Sequence, residues 1–265
     1  MGEPQSHDEF LARQDEHFAH ADVAHFASQT RGAGFAAREA RFLHDLVDGT
    51  PDPLLEIGCG EGGNLFHVTA PDATPRSLAP TGMDRSLGKL RFAAREIPAA
   101  RFVCADGGAL PFRTASVATV LIRDVLHHLP EPRGTLEEAC RVLQPGGRFV
   151  LAEPNARNPL IRLQMALVPA ERGASRSSET WLRELLAGLP LDGLHFTTAA
   201  PFPIYRALLH PIFGLPRLGR IPLTRRLLDV TESAVGRVLG APRWSYWIGR
   251  ATRSASGDIA GGMRR

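Results

Sequence analysis

The chain has 265 residues, of which 43% are hydrophobic and 22% are charged, as is usual for a globular protein. This length suffices for one large α/β domain with a small appendage, and a chain of this size buries most of its apolar surface without help from disulfides or metals. The cysteines Cys59, Cys104 and Cys140 are far apart and form no CxxC pair, so we interpret them as small apolar residues in a reducing compartment.

The first ten residues are polar and acidic, and the longest apolar stretch, residues 160–168, is about half a membrane span. We therefore expect a soluble, cytoplasmic protein. The net charge of +3 is too small to indicate a nucleic-acid partner, but residues 201–265 hold 11 arginines against three acids. This asymmetry suggests an anionic substrate or weak contact with a membrane surface, and a disordered basic tail is the alternative. The oligomeric state stays open.

An arm at residues 1–34 and a helix at residues 35–47 are predicted first, followed by alternating strands and helices. Strands are predicted at residues 54–57, 81–83, 101–104, 117–122 and 148–152. Helices are predicted between them, at residues 64–70, 87–96 and 135–143. Five such repeats without hairpin signals predict a parallel, doubly wound sheet.

The pattern changes after residue 153. Helices are predicted at residues 157–168, 178–187 and 223–239, and strands at residues 194–198 and 246–252. Residues 201–243 are rich in proline and arginine. The helix at 223–239 carries an apolar stripe, which we expect to pack inward so that the arginines face solvent.

A glycine-rich loop follows the first apolar strand and includes Gly58, Gly60, Gly62 and Gly63. Without Cβ atoms, such a loop lets a ligand approach the backbone closely. The spacing also satisfies the dinucleotide-binding fingerprint, and a tight structural turn is a further alternative.

Five segments in order decide between these alternatives. They are LLEIGCGEGGN (54–64), GMDRS (82–86), FVCADGGALPF (102–112), VLIRDVLHHLPEP (120–132) and RVLQPGGRFVLAEPN (141–155). Together they resemble the class I S-adenosylmethionine-dependent methyltransferases, in particular the type 11 or ubiquinone-methyltransferase-like small-molecule group. The resemblance implies a doubly wound, mostly parallel, seven-stranded α/β sheet (the Rossmann-like methyltransferase fold) with a helical lid, and S-adenosyl-L-methionine as cofactor.

The resemblance also implies how the chain is divided. Residues 1–49 are expected to form an arm and helix that cover cofactor and substrate, and residues 50–154 the cofactor-binding core. Residues 155–254 are expected to supply the helical lid and the last two strands, and residues 255–265 a frayed tail. The stretch between Gly60 and Asp84 is longer than usual for the family and Pro-rich, which leaves the register of the second strand open.

On this resemblance, three acids at successive strand ends bind the cofactor. Glu56 faces the cationic methionine end, directly or through water, Asp84 accepts hydrogen bonds from two ribose hydroxyls, and Asp106 binds the adenine amino group. A helix cap is the alternative role for Asp106. Gly58 and Gly60 let the cofactor lie against the backbone. The remaining predicted cofactor-binding residues are Cys59, Asn64, Arg85, Gly107 and Arg123.

Some of these assignments have structural alternatives. Arg123 is expected in the pocket floor, and a salt bridge with a nearby acid is its alternative. His127 and His128 are the candidate general bases, although the family carries histidine here for many substrates and packing accounts for it equally well. We predict no metal site, because no histidine, cysteine or carboxylate set has ligand spacing.

The sequence therefore predicts in-line methyl transfer to a hydrophobic small molecule, such as a secondary metabolite, a quinone or a lipid-like acceptor. An inactive cofactor-binding regulator is one alternative. A nicotinamide-dependent reductase is another, but the only tyrosines, Tyr205 and Tyr246, and the only lysine, Lys89, are poorly placed for a hydride site.

Overall fold

The computed structural model describes residues 21–71, 73–200, 204–209 and 214–255. The predicted N-terminal arm therefore falls partly, and the predicted tail mostly, outside the described residues. Among the described helices, none is long and apolar enough to cross a membrane.

A seven-stranded sheet forms the centre of the described chain, in the order β3-β2-β1-β4-β5-β7-β6. The strands are β1 Leu54–Ile57, β2 Thr81–Asp84, β3 Arg101–Cys104, β4 Val117–Arg123, β5 Leu143–Pro154, β6 Leu191–Ala199 and β7 Tyr246–Arg253. The first five strands are parallel, and β7 runs antiparallel to both β5 and β6. The predicted mostly parallel, seven-stranded α/β fold is confirmed.

Nine α-helices lie in the described residues. They are α1 Val23–Arg31, α2 Ala36–Val47, α3 Gly63–Val68, α4 Leu87–Glu96, α5 Pro132–Val142, α6 Pro159–Leu167, α7 Glu179–Leu186, α8 Ile204–Leu208 and α9 Pro222–Leu239. Short 3₁₀-helices at Leu126–His128, Pro169–Arg176, Pro216–Arg220 and Ala241–Arg243 connect them.

The central strands are buried on both faces, as expected for a parallel sheet covered by helices on each side. Every residue of β1 and β4 is buried. One apolar cluster packs around Leu136 of α5 and Leu182 of α7, and the other packs around Leu43 of α2 and Leu90 of α4. This double burial explains why apolar residues predominate in both strands, with Glu56, Thr119 and Arg123 as the buried polar exceptions.

The structure fixes two registers that the sequence left open or described differently. Thr81 and Met83 of β2 pair with Leu55 and Ile57 of β1, so Asp84 does lie at the carboxyl end of its strand. β5 begins at Leu143, five residues earlier than predicted. Residues 144–147 form an irregularity inside β5, where the pairing with β4 shifts register.

The apolar stripe of α9 faces solvent, and our expectation of inward packing is wrong. Leu223, Leu227, Val230 and Val238 are each more than half exposed. On the opposite side of the helix, Leu228 is buried in a small cluster with Phe35, Tyr205 and Leu209 of the described chain.

Candidate functional site

The carboxyl end of β1 and the first turn of α3 bring together the predicted acid Glu56 and the amide of Asn64. Glu56 is 1% exposed, and Asn64 Nδ2 donates to its Oε1 at 2.5 Å. Glu56 Oε2 is buried without a hydrogen-bond partner among the described residues. Burial raises the pKa of Glu56 to about 8, against the hydrogen bond from Asn64 and the charge of Arg123. A buried carboxyl oxygen without a hydrogen-bond partner costs free energy, and a cationic ligand group that binds there would supply the partner.

Asp84 holds the glycine loop against the start of α4. Its Oδ2 accepts from the Gly60 amide at 2.9 Å, and its Oδ1 accepts from the Ser86 amide at 2.8 Å. Each carboxylate oxygen keeps a second lone pair with which it could accept from a ligand hydroxyl. The volume that a Cβ on Gly60 would occupy has no atom within 4 Å, so the loop leaves open space beside this carboxylate.

Gly58 packs against the segment that follows β4, and its predicted role toward the cofactor stays a prediction. A Cβ on Gly58 would lie 2.4 Å from Cγ2 of Val125, in the segment that follows β4. Gly58 has a φ of +74°, a conformation that favours glycine. Packing against Val125 therefore accounts for a glycine here, whereas Gly60 is the position that faces open space.

The predicted adenine-binding residues form a local turn after β3. Asp106 is exposed, and its Oδ1 accepts from the Gly108 amide at 2.7 Å. Asp106 thus stabilises the turn of its own loop and does not cap a helix. Its role toward adenine stays a prediction. A Cβ on Gly107 would lie 3.0 Å from Thr135 Oγ1. Arg85 is exposed, while the thiol of Cys59 is buried and burial raises its pKa.

Arg123 forms the salt bridge that was the alternative to a role in the pocket. Its Nη2 donates to Glu39 Oε2 at 2.6 Å, and its Nη1 donates to Asn64 Oδ1 at 2.7 Å. The guanidinium also lies 4.6 Å from the centre of the Phe42 ring. Because Asn64 bridges Arg123 and Glu56, the end of β4 and the candidate cofactor site share one hydrogen-bonded network.

The network extends to the helix α8, through residues that our sequence reasoning missed. Tyr205 Oη donates to Glu39 Oε1 at 2.7 Å, and Arg206 forms an ion pair with the same carboxylate. Arg206 also donates to Tyr246 Oη, which in turn donates to Asp124 Oδ2 at 3.0 Å. The available signal was Glu39 itself, an acid on the same helical face as the buried residues at positions 43 and 46.

His127 lies among carboxylates. Its Nδ1 is 2.7 Å from Glu153 Oε2, and its Nε2 is 3.6 Å from Glu171 Oε2. The other oxygen of Glu153 accepts from the amides of Val125 and Leu126, which fixes the carboxylate. Burial opposes protonation of His127, but Glu153 and Glu171 raise its pKa to about 10.

A histidine that stays protonated at neutral pH is poorly suited to act as a general base. His128 differs, because burial and the neighbouring His127 lower its pKa to about 4. The side-chain ligand atoms of His127, His128 and Glu171 lie within 4.8 Å of one another, a proximity that sequence spacing could not show. The ion pairs of His127 account for this arrangement.

The site fits the cofactor implied by the sequence resemblance. Glu56 offers an unpartnered buried oxygen for the cationic end, and Gly60 leaves room beside the Asp84 carboxylate. These features lie at the carboxyl edge of the parallel strands, where open α/β sheets bind their ligands.

Comparison with known proteins supports the same assignment. Residues 55–151 match the family described as Methyltransferase domain. The demethylmenaquinone methyltransferase of Renibacterium salmoninarum is 32% identical over 121 residues, which cover 45% of this chain and 49% of the relative. The phthiotriol/phenolphthiotriol dimycocerosates methyltransferase of Mycobacterium tuberculosis is 32% identical over 145 residues, 48% of this chain and 52% of the relative. The chain thus spans about half the length of these curated relatives.

Solved structures extend the likeness of fold beyond the matched segment. The geranyl diphosphate C-methyltransferase of Streptomyces coelicolor A3(2) aligns with a TM-score of 0.54 and 18% identity. The alignment covers 83% of this chain and 79% of that chain. Since the fold, the strand-end acids and the family match agree, residues 55–151 form a type 11 methyltransferase domain of the class I S-adenosylmethionine-dependent family.

Proposed function

We propose that this protein transfers a methyl group from S-adenosyl-L-methionine to a hydrophobic small-molecule acceptor. The observation that carries the proposal is the buried, unpartnered Oε2 of Glu56 at the end of β1, close in the chain to the open space at Gly60. A buried carboxyl of this kind gains a partner when a cationic ligand group binds. If the glycine-rich loop were only a structural turn, it would not require a buried carboxyl group with an unpartnered oxygen beside it.

The class of acceptor is inferred from the relatives. One of them is named for demethylmenaquinone and another for phthiotriol dimycocerosates, a quinone and a lipid. We infer a quinone-like or lipid-like acceptor for this chain as well. The net charge of +3 is too small to indicate a nucleic-acid substrate.

The bound cofactor supplies an electrophilic methyl group on a sulfonium, and the chain supplies position and exclusion of water. Glu56 and Asp84 hold the two ends of the cofactor, and Asn64 orients Glu56 through its hydrogen bond. The contacts of Tyr205 and Arg206 with Glu39 hold α8 near the end of β4, where a cover excludes solvent. Positioning of this kind supplies roughly 7–11 kcal/mol of the barrier in well-oriented reactions.

The base role of His127 and His128 stays a prediction. The ion pairs of His127 with Glu153 and Glu171 favour the structural alternative, in which it fixes the segment after β4. In that case the acceptor's proton leaves to solvent or to another group once the methyl group has been transferred.

The proposal is tested by binding and by turnover, measured separately. Calorimetry should detect S-adenosylmethionine and S-adenosylhomocysteine but not NADH. Turnover is followed as S-adenosylhomocysteine formed with demethylated quinones and with fatty acids as acceptors. Asp84→Ala should weaken the cofactor by about 1.5–3 kcal/mol, the range for charge-assisted hydrogen bonds. Arg113→Gln, an exposed change in the loop before β4, is the control.

Each outcome decides between the alternatives. Binding of NADH without sulfonium binding contradicts the proposal in favour of a nicotinamide-dependent enzyme. Cofactor binding with no product from any acceptor favours an inactive regulator.

A further inference from the structure

The outward face of α9 is an apolar stripe without a partner among the described residues. Leu223, Leu227, Val230 and Val238 are 57–87% exposed, and Ala234 between them is exposed too. These positions recur at helical spacing on one side of an 18-residue helix. Contiguous exposed apolar surface on an otherwise polar protein marks a contact surface.

Positive charge borders this stripe. Arg226 precedes Val230 by four residues, and Arg237 follows Ala234 by three, so both arginines are neighbours of the stripe on the helix surface. Both side chains are exposed. Three more exposed arginines lie just before or after α9 in the chain, at positions 217, 220 and 243.

The acids of α9 do not cancel this charge. Asp229 forms a salt bridge with Arg38 of α2, and Glu232 lies 3.7 Å from the same guanidinium. Both carboxylates contact Arg38 of α2 rather than the stripe, and the five exposed arginines on and beside α9 outnumber them.

We propose that α9 docks this protein, through its apolar stripe and bordering arginines, on an anionic lipid surface. An amphipathic helix of this kind lies in the plane of a bilayer with its apolar face among the acyl chains and its arginines at the headgroups. Charge complementarity favours this occupant over a second copy of the chain, because a two-fold contact would bring together two surfaces that both carry the bordering arginines.

Docking through α9 would also bring α8, which we expect to cover the proposed active site, close to the membrane. Leu228, on the inner side of α9, packs with Tyr205 of α8, whose hydroxyl binds Glu39. This consequence rests on the proposed function, since only a lipid-like acceptor is delivered from a bilayer. The docking itself does not depend on activity.

The test is flotation of the full-length protein with vesicles of phosphatidylcholine, with and without phosphatidylglycerol. Wild type should float with the anionic vesicles and bind the neutral ones more weakly. Leu227→Glu should reduce partitioning at least about tenfold, since it removes a buried leucine from the bilayer. Its matched control is Leu78→Glu, a change at a comparably exposed leucine before β2, which should leave partitioning unchanged.

A second pair of variants tests the charge alone. Changing Arg226 and Arg237 to glutamine should weaken binding to anionic vesicles by about fivefold for each arginine. Changing the exposed Arg101 and Arg113 to glutamine alters the net charge equally and should have little effect. Unfolding and cofactor affinity, measured without vesicles, report separately on the fold and on the proposed function.

Three results would overturn the proposal. One is that the wild-type protein does not float with anionic vesicles at any lipid concentration. Another is undiminished flotation of Leu227→Glu. The third is a dimer in sedimentation that Leu227→Glu dissociates while vesicles bind neither form, which would make the stripe an interface between copies.

Discussion

Arg206 donates three hydrogen bonds to the carboxylate of Glu39, from Nη2 to Oε1 at 2.9 Å and to Oε2 at 3.1 Å, and from Nε to Oε1 at 3.2 Å. The contact joins α8 to α2 across 167 positions of the chain. Glu39 in turn binds Arg123 at the end of β4. We infer that this carboxylate anchors α8 to α2 and to the end of β4.

Arg206→Met should lower the free energy of unfolding by about 3–5 kcal/mol, because it leaves a buried carboxylate with one fewer cation. Arg183→Met is the matched control. Its pair with Glu179 lies on the surface of α7 and should contribute about 0–1 kcal/mol. Urea denaturation of both variants measures the difference, and equal losses would argue against the anchor.

The pH dependence of this difference follows from Glu39. Burial opposes its ionisation, but Arg206 and Arg123 hold its pKa well below the usual range. A carboxyl with a depressed pKa stabilises the fold above its unfolded pKa, and this contribution is lost as the pH falls through the folded value. The gap between wild type and Arg206→Met should therefore narrow in acid and stay constant at neutral pH.

Glu56 should make cofactor binding depend on pH. Its pKa of about 8 means that the free protein holds Glu56 mostly neutral at pH 7 and ionised above pH 8. A raised folded pKa stabilises the free protein most at low pH, and this contribution is lost as the pH rises through about 8. A cationic ligand prefers the ionised form, so affinity for S-adenosylmethionine relative to S-adenosylhomocysteine should rise between about pH 7 and 9.

Calorimetry across this pH range, in buffers of different ionisation enthalpy, measures both the affinity ratio and the proton released on binding. Glu56→Gln is the control, since it keeps the hydrogen-bonding shape without the titration. A ratio that follows the same curve in Glu56→Gln would assign the pH dependence to the ligand's own amino group.

Gly58→Ala and Gly60→Ala should separate packing from ligand contact. Both glycines have positive φ, so each alanine costs about 1 kcal/mol of backbone strain. Gly58→Ala also meets Val125 and should cost about 1–3 kcal/mol more, as overpacking does. Thermal unfolding should show Val125→Ala partly rescuing Gly58→Ala. Only Gly60→Ala should weaken the cofactor out of proportion to its effect on stability.

His127→Asn should act on stability rather than on the chemical step. Glu153 would lose its buried cationic partner, which lowers the unfolding free energy by about 3–5 kcal/mol. A histidine with a raised pKa stabilises the fold below its unfolded value, and the contribution is lost as the pH rises through about 10. The loss of unfolding free energy in His127→Asn should therefore be largest in mild acid and become smaller as the pH rises through about 10. A folded variant whose kcat has lost its acidic limb would instead establish a general base.

Turnover should survive chelators. The proximity of His127, His128 and Glu171 is accounted for by the ion pairs of His127, so activity should be unchanged in EDTA. Inactivation by EDTA that magnesium or zinc reverses would show that these residues, or others, hold a metal.

The sequence by itself determined the order of the central strands and the position of the glycine-rich loop after β1. The bounds of β1, β3 and α4 match the predicted ones residue for residue, because apolar runs and caps are local signals. For α4 the cap is Ser86, whose hydroxyl accepts from the Lys89 amide. The motif order predicts Glu56 and Asp84 at one edge of the sheet.

Only the tertiary structure decided which residues those local elements meet. Glu39 was visible as an acid in an apolar helix face, but its partner Arg206 lies too far along the chain for any spacing rule. Gly58 and Gly60 look alike in the sequence, and they differ because Val125 packs against one of them. The sequence also predicts the apolar stripe of α9, but periodicity shows only that this face exists and not which residues cover it. Long-range packing settles that question, and here it leaves the stripe exposed.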